Sequence, residues 1–312
     1  MKIRRDILLF AAVAVTAIAG GWWLLAKRPG VAIESFVRDH KQKPEAVRPH
    51  LPAADAFNAT VCPREACVAV EVGGLTFIYN AAAGTAQGVI ALGLMHPNID
   101  GVLLPDASLQ SVEGLASLAQ ASGGAGRTDP LKVFAPSGAL TVVDGANLLA
   151  SGGPAPRLTL SPDGTDQGLA GKLLFDSGVV EIRAFGVRGR VYRIEFEHKS
   201  LILAGCAAEE EDILAATRGT KVAAGILTAG SAQLLPGEAP RCTDIAELLE
   251  GARQARLAAT LIIPAAPAST VPGALAAWGE VIAEGQLPGV MLGEGYMRVD
   301  LSGPAPRTSD GR

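Results

Sequence analysis

Hydrophobic and polar positions change rhythm along the chain. Residues 7–26 form a nearly unbroken apolar run in which Thr16 is the one clearly polar member. About 20 residues at about 1.5 Å each reach about 30 Å, the hydrocarbon thickness of a bilayer. Lys2, Arg4 and Arg5 precede the run, and Lys27 and Arg28 follow it. Trp22 and Trp23 sit near its far end, where indoles favour the membrane interface. The pattern predicts one transmembrane helix in an anchor over residues 1–28. The heavier basic cluster in front predicts an inside amino terminus and an exported body. A cleaved signal peptide ending at Ala17-Ile-Ala19 is the competing reading. The run continues past that point through Leu25, which favours the uncleaved anchor.

Residues 29–58 lose all period. They carry Pro29, Pro44, Pro49 and Pro52 among mixed charges and read as a linker. His40 and His50 lie there and read as solvated tether. From residue 59 short β-rich runs appear. Cys67-Val-Ala-Val-Glu-Val72 and Leu75-Thr-Phe-Ile-Tyr79 flank Gly73-Gly74 and predict a hairpin. A helix is predicted over 86–94, a buried strand over 99–104, a helix over 112–120 and a strand over 131–134. Residues 151–171 are rich in Gly and Pro and read as loop and edge. Strands are predicted over 179–185, 191–197, 200–203, 223–228 and 261–263. Helices are predicted over 209–217, 243–255 and 272–284. Strands over 290–292 and 297–301 follow, and residues 303–312 read as a polar tail. Hairpins mixed with strand–helix units in two similar halves predict an α/β domain over 59–302, with two sheets face to face and helices outside.

Composition narrows the chemistry. Hydrophobic residues make up 49% and charged residues 19%, which excludes disorder for most of the chain. A net charge of -4 argues against nucleic-acid binding, which needs a basic face. Four His and four Cys are a thin supply for metal sites. Glu209-Glu210-Glu211-Asp212 reads as an acidic first helical turn rather than a metal run. Ser122-Gly-Gly-Ala-Gly126 lacks the Gly-Lys-Ser/Thr of a phosphate loop and reads as a flexible connection. His96 and His198 read as surface residues of a loop and a turn.

Several stretches together resemble the metallo-β-lactamase superfamily, in particular its ribonuclease Z-like, membrane-anchored periplasmic branch. Cys62-Pro-Arg-Glu-Ala-Cys67-Val-Ala-Val is similar to the opening strand of that branch. Ile99-Asp-Gly-Val-Leu-Leu-Pro105 is similar to the strand entering its His-x-His-x-Asp-His motif. Residues 126–136 are similar to the next strand with its Pro-Gly turn. Leu201-Ile-Leu-Ala-Gly205 and Leu261-Ile-Ile-Pro-Ala265 are similar to the strands that deliver later ligands. The resemblance implies an αββα sandwich and, in the family, a zinc-dependent hydrolytic site.

The same resemblance assigns the ligand positions one at a time. The motif's histidines fall on Asp106, Ser108 and Ser111, and its Asp falls on Gln110. A later His falls near Gly189, the bridging Asp on Cys206, and the last His on Ala265. The Asp after the hairpin falls near Asn80, and the catalytic His near Thr228. No imidazole remains at any of them. A catalytic zinc needs about three protein ligands, and Asp106 and Cys206 alone retain donor atoms suited to holding it. The substitutions are coherent, because an empty cluster of buried ionisable groups is poorly solvated. No catalytic residue, metal or other cofactor is expected. The implied protein is a pseudoenzyme of the inner membrane with its body in the periplasm, or periplasmic outright if the leader is cleaved. It would be tethered through residues 7–26 and bind an envelope protein or a small ligand. The alternative is a metal-dependent phosphodiesterase-like or esterase-like hydrolase with unusual ligands, for which zinc is expected.

An exported body permits disulfides. Cys62 and Cys67 could close a small loop, and Cys206 and Cys242 could bridge the former site. Three pairings of four cysteines remain open. A redox-active envelope protein using Cys206 and Cys242 is a third reading. Cys206 as a nucleophile lacks a base.

Overall fold

The computed structural model describes residues 50–63, 67–94, 96–150, 158–162, 171–186, 190–220, 222–229, 242–264, 282, 289–293, 295–303 and 306–310. The apolar run over 7–26, His40, and the helix expected over 272–284 except residue 282 lie outside them. No helix among the described residues is long and apolar enough to cross a membrane.

Residues 48–312 form one compact unit. The first sheet contains β1 (Phe57–Val61), β2 (Val68–Val72), β3 (Leu75–Tyr79), β4 (Gly101–Leu103), β5 (Leu131–Ala135), β6 (Leu158–Pro162), β14 (Met297–Asp300) and β15 (Arg307–Asp310). Its order is β15-β14-β1-β2-β3-β4-β5-β6. The second contains β7 (Lys172–Asp176), β8 (Val180–Phe185), β9 (Val191–Phe196), β10 (Lys199–Ala204), β11 (Val222–Ala229), β12 (Ala259–Pro264) and β13 (Val290–Leu292), in the order β13-β12-β11-β10-β9-β8-β7. Strands β3 to β6 run parallel, as do β10 to β13.

Side-chain parity builds the layers, since alternate residues of a strand face opposite sides. Val68, Val70, Val72, Phe77, Tyr79 and Leu103 point inward to meet Ile182, Tyr192, Ile194, Leu201, Leu203 and Ile226 of the second sheet. Ala69, Ile78, Val102, Leu104 and Val133 point outward, under helices α1 (Thr85–Ala91), α3 (Leu115–Gly124) and α4 (Leu140–Ala150). The short α2 (Leu109–Val112) joins β4 to α3. On the other side Ile202, Ala204, Leu227 and Ile262 pack against α5 (Glu210–Thr217) and α6 (Ile245–Gln254). The expected sandwich of two sheets between helices is what forms. The phenol of Tyr192, on β9, crosses the central layer and donates to the carbonyl oxygens of Leu104 (2.6 Å) and Phe134 (3.3 Å) in the first sheet.

Local chemistry sets the helix ends. In α5 Glu209 and Asp212 form a reciprocal capping box, so the acidic run is a helix start, as the sequence suggests. In α6 the Asp244 carboxylate accepts from Ala246 N at 2.8 Å, and Ile245, Leu248, Leu249 and Ala252 supply the buried stripe.

The sequence reading needs correction in places. Strand β1 begins at Phe57, inside the segment read as linker, and β15 forms within the segment read as tail. Ser122 and Gly124 close α3 instead of forming a flexible connection, and Ser122 is fully buried. His50 is no solvated tether. Its amide donates to Gly93 O at 3.0 Å and its ring meets Glu71 Oε1 at 2.7 Å.

The turn between β9 and β10 holds Glu197 at φ 49° and His198 at φ 65°, both exposed. Two central residues with positive φ suit Asn-Gly far better than Glu-His. Replacing Glu197→Asn and His198→Gly together is expected to stabilise the fold by about 1 kcal/mol. Thermal melting should show a midpoint raised by about 2–4 °C.

Candidate functional site

The carboxyl ends of β3 and β4 in the first sheet meet those of β10 and β11 in the second. Two backbone contacts fasten the exits of β4 and β10. Arg190 N donates to Pro105 O at 3.1 Å, and Gly205 N donates to Arg190 O at 3.0 Å. A Cβ placed on Gly205 would come within 2.7 Å of the Pro105 Cβ, so glycine is what lets the β4 and β10 exits touch. The segments entering Asp106 and Cys206 are thus neighbours.

Asp106 stands just beyond β4, and its Oδ1 accepts from Ser108 N at 2.8 Å. Ser108 Oγ donates to Ser111 Oγ at 3.2 Å. Ser111 N returns to Ser108 O at 3.0 Å, and Ser111 O accepts from Ala81 N at 3.0 Å. Asp106, Ser108 and Ser111 therefore share one compact loop, stitched to the exit of β3. Asn80, at that exit, adopts φ 63°, a left-handed conformation that Asn tolerates. Its amide donates to Leu103 O at 2.9 Å, while its buried Oδ1 has no hydrogen-bond partner among the described residues.

Tyr79 and Thr228 join the two sheets by a buried contact, with their hydroxyl oxygens 3.3 Å apart. Burial drives the Tyr79 phenol far above its ordinary pKa. The Thr228 hydrogen bond opposes this, and the Asp106 carboxylate adds to it. The phenol therefore stays protonated, as a neutral hydrogen-bonding group. Tyr79 and Tyr192 meet edge to face, with ring centroids 6.3 Å apart.

Cys206 is bonded to Cys242, and Cys62 to Cys67, with Cα separations of 4.6 and 5.1 Å. Among the three pairings that the sequence left open, this one forms. Thr243 fixes the second partner's neighbourhood. Its N donates to Cys206 O at 2.7 Å and its Oγ1 to Ala208 O at 2.7 Å.

Asp106, Ser108, Ser111 and Cys206 are thus gathered at the linked exits of β4 and β10, with Asn80 and Thr228 at those of β3 and β11. Gln110 is the second residue of α2. Gly189 and Ala265 lie outside the described residues. Sequence reasoning missed Tyr79, Tyr192 and Arg190. Each is polar yet almost fully buried, and inward parity at a strand end was the available signal for Tyr79.

The side chains here do not fit a zinc ion. The Cys206 sulfur is committed to a disulfide, and one Asp106 oxygen to a backbone amide. Among the described residues no three His, Cys, Asp or Glu side chains gather to hold a metal, whereas catalytic zinc needs about three ligands. Ser108 and Ser111 bond each other, and no hydrogen bond among the described residues joins either to an imidazole. What the arrangement offers is hydroxyl and amide hydrogen bonding around a single carboxylate.

Comparison with known proteins identifies the architecture. No family model and no curated protein matches the chain. Solved structures do match. The metallo-beta-lactamase fold protein YhfI from Bacillus subtilis is 11% identical, with a TM-score of 0.55 over 82% of this chain and 96% of that one. Zn(2+)-bound PqqB from Methylobacterium extorquens is 18% identical, with a TM-score of 0.51 over 75% and 86%. Unliganded yeast PDE1 is 8% identical, with a TM-score of 0.52 over 77% and 97%. The chain has the metallo-β-lactamase fold.

Proposed function

We propose that this chain, on its metallo-β-lactamase fold, is a membrane-anchored, non-catalytic binding or scaffolding module of the cell envelope. One observation carries the proposal. The positions that the family resemblance marks for metal ligands hold Asp106, Ser108, Ser111 and Cys206, and the sulfur among them is closed off by Cys242. Loss of a single ligand would leave a weaker metal site, whereas replacement throughout leaves a polar cleft. Such a cleft suits a small hydrogen-bonding ligand or a segment of a partner protein.

The location rests on separate support. The apolar run over 7–26, flanked by Lys and Arg, has the length of a membrane span. Two disulfides in the body suit an oxidising compartment. The reading is a single-pass inner-membrane protein with its body in the periplasm.

Elemental analysis of the purified full-length chain, grown with zinc, tests the function. Sub-stoichiometric zinc is expected, with no chelator-sensitive phosphodiesterase or esterase turnover. Stoichiometric zinc, together with turnover that disappears in Asp106→Ala, would establish instead a hydrolase with unusual ligands. Retention in the membrane fraction after an alkaline wash is the expected result for the anchor. Release into the wash would refute it.

A further inference from the structure

We propose that the Cys206–Cys242 disulfide is a reducible latch. A dithiol reductant opens it while Cys62–Cys67 stays closed, and opening loosens the start of α6 from the turn after β10. The inference does not depend on whether the cleft is catalytic.

The two bridges lie in different surroundings. Cys62 and Cys67 are both fully buried. Helix α1 covers them closely, since a Cβ on Gly88 would lie 3.1 Å from Cys62 Cβ and 3.6 Å from Cys67 Sγ. Thiol–disulfide exchange needs a thiolate to reach one sulfur, so a covered bridge reacts slowly. Cys206 is 9% exposed and Cys242 is half-buried. A thiolate from solvent has an approach to this pair that it lacks to the other.

The step is an ordinary exchange. One thiolate of the dithiol attacks Cys242 Sγ, a mixed disulfide forms, and the Cys206–Cys242 bond breaks with Cys206 leaving as thiolate. The second thiol of the reductant then attacks the mixed disulfide and releases Cys242. The dithiol ends as a disulfide, and two electrons and two protons reside on Cys206 and Cys242 as thiols.

Position gives the opening a consequence. The bridge joins residues 36 apart in sequence, and Cys242 leads directly into Thr243 and the Asp244 cap of α6. With the bridge broken, Thr243 keeps its bonds to Cys206 O and Ala208 O. Such bonds compete with water and do not replace a covalent tie. The redox state of this one cystine thus sets how firmly the start of α6 sits on the mouth of the cleft.

Graded dithiothreitol, followed by alkylation and mass spectrometry of the intact chain, tests the selectivity. Cys206 and Cys242 should become labelled at reductant levels about tenfold or more below those that label Cys62 and Cys67. Simultaneous opening, or earlier opening of Cys62–Cys67, overturns the proposal. Hydrogen exchange tests the consequence. Selective reduction should speed exchange at the amides of Thr243 and Ala246, and unchanged exchange there refutes the latch. The unreduced Cys206→Ser/Cys242→Ser variant should show the same acceleration. Should that variant not fold, reduction of the native chain still decides the question.

Discussion

Replacing Gly114→Ala should lower stability by about 3 kcal/mol or more, among the largest losses a single methyl group can cause here. Gly114 starts α3 with unremarkable angles, φ −83° and ψ −8°, so the objection to alanine is one of space. An added Cβ would lie 2.2 Å from Ala82 O, 2.9 Å from Ala81 O and 3.1 Å from Ala82 C. These are backbone atoms and cannot rotate aside as a side chain would. The main chain must separate, and two bonds depend on it. Gly114 N donates to Ala81 O at 2.7 Å, and Ala81 N donates to Ser111 O at 3.0 Å. The damage therefore runs from α3 into the serine loop of the site. Thermal melting should show a midpoint lower by about 6–12 °C. A midpoint within about 2 °C of the parent would refute the close approach. Gly145→Ala is the control. Gly145 lies within α4 with nothing within 4 Å of an added Cβ, so alanine there should stabilise by about 1 kcal/mol.

Arg190→Met should cost about 3–5 kcal/mol at neutral pH. Arg190 is 2% exposed, and its guanidinium donates to Gly186 O while its charge favours the ionised form of Asp212. Burial is the main force raising the Asp212 pKa. The hydrogen bond from Glu209 N opposes it, the Glu209 charge adds to it, and Arg190 opposes it. Methionine keeps much of the packing but removes the one cation in that balance, so the Asp212 pKa rises further. A carboxyl whose folded pKa is raised disfavours folding most when ionised, above that pKa. The cost is relieved as pH falls through the folded value toward that of the unfolded chain. The deficit of Arg190→Met should accordingly shrink as pH is lowered from about 7.5 to about 4.5. Adding Asp212→Asn should restore part of the loss at neutral pH, read as coupling in a double-mutant cycle. A deficit independent of pH, with additive single effects, would reduce the role of Arg190 to packing and its bond to Gly186.

Most of the central sheet strands were legible as short β-rich or continuously apolar runs. Residues 67–72 and 75–79, and the apolar runs that became β10 and β12, were of this kind. What escaped was local in signal and tertiary in cause. Strand β1 alternates Phe57, Ala59 and Val61 with Asn58 and Thr60, but it follows a proline-rich stretch whose linker reading ran over its first two residues. Helix α4 opens with Thr141-Val-Val143, poor helix formers, contains Gly145, and buries only Val143, Ala146 and Ala150. Edge strands β6, β7 and β15 lie among Gly, Pro and polar residues and gain order from the neighbour they pair with. At the site, Asp106, Ser108 and Ser111 were found through a motif that they no longer complete. Tyr192 was invisible because its partners are carbonyls of β5 and of the segment after β4, far away in sequence, and Arg190 because nothing local announces the burial of a charged side chain bonded to the nearby Gly186 O.

Tyr192 belongs to one sheet and rests its phenol on main-chain oxygens of the other. Layers held by dispersion alone can slide with little change in contact. A directional bond cannot follow such a slide without breaking. The spacing of the two layers is consequently fixed at this point. A partner docking at the nearby strand exits would therefore meet a rigid base, so association should track encounter frequency rather than rearrangement of the host.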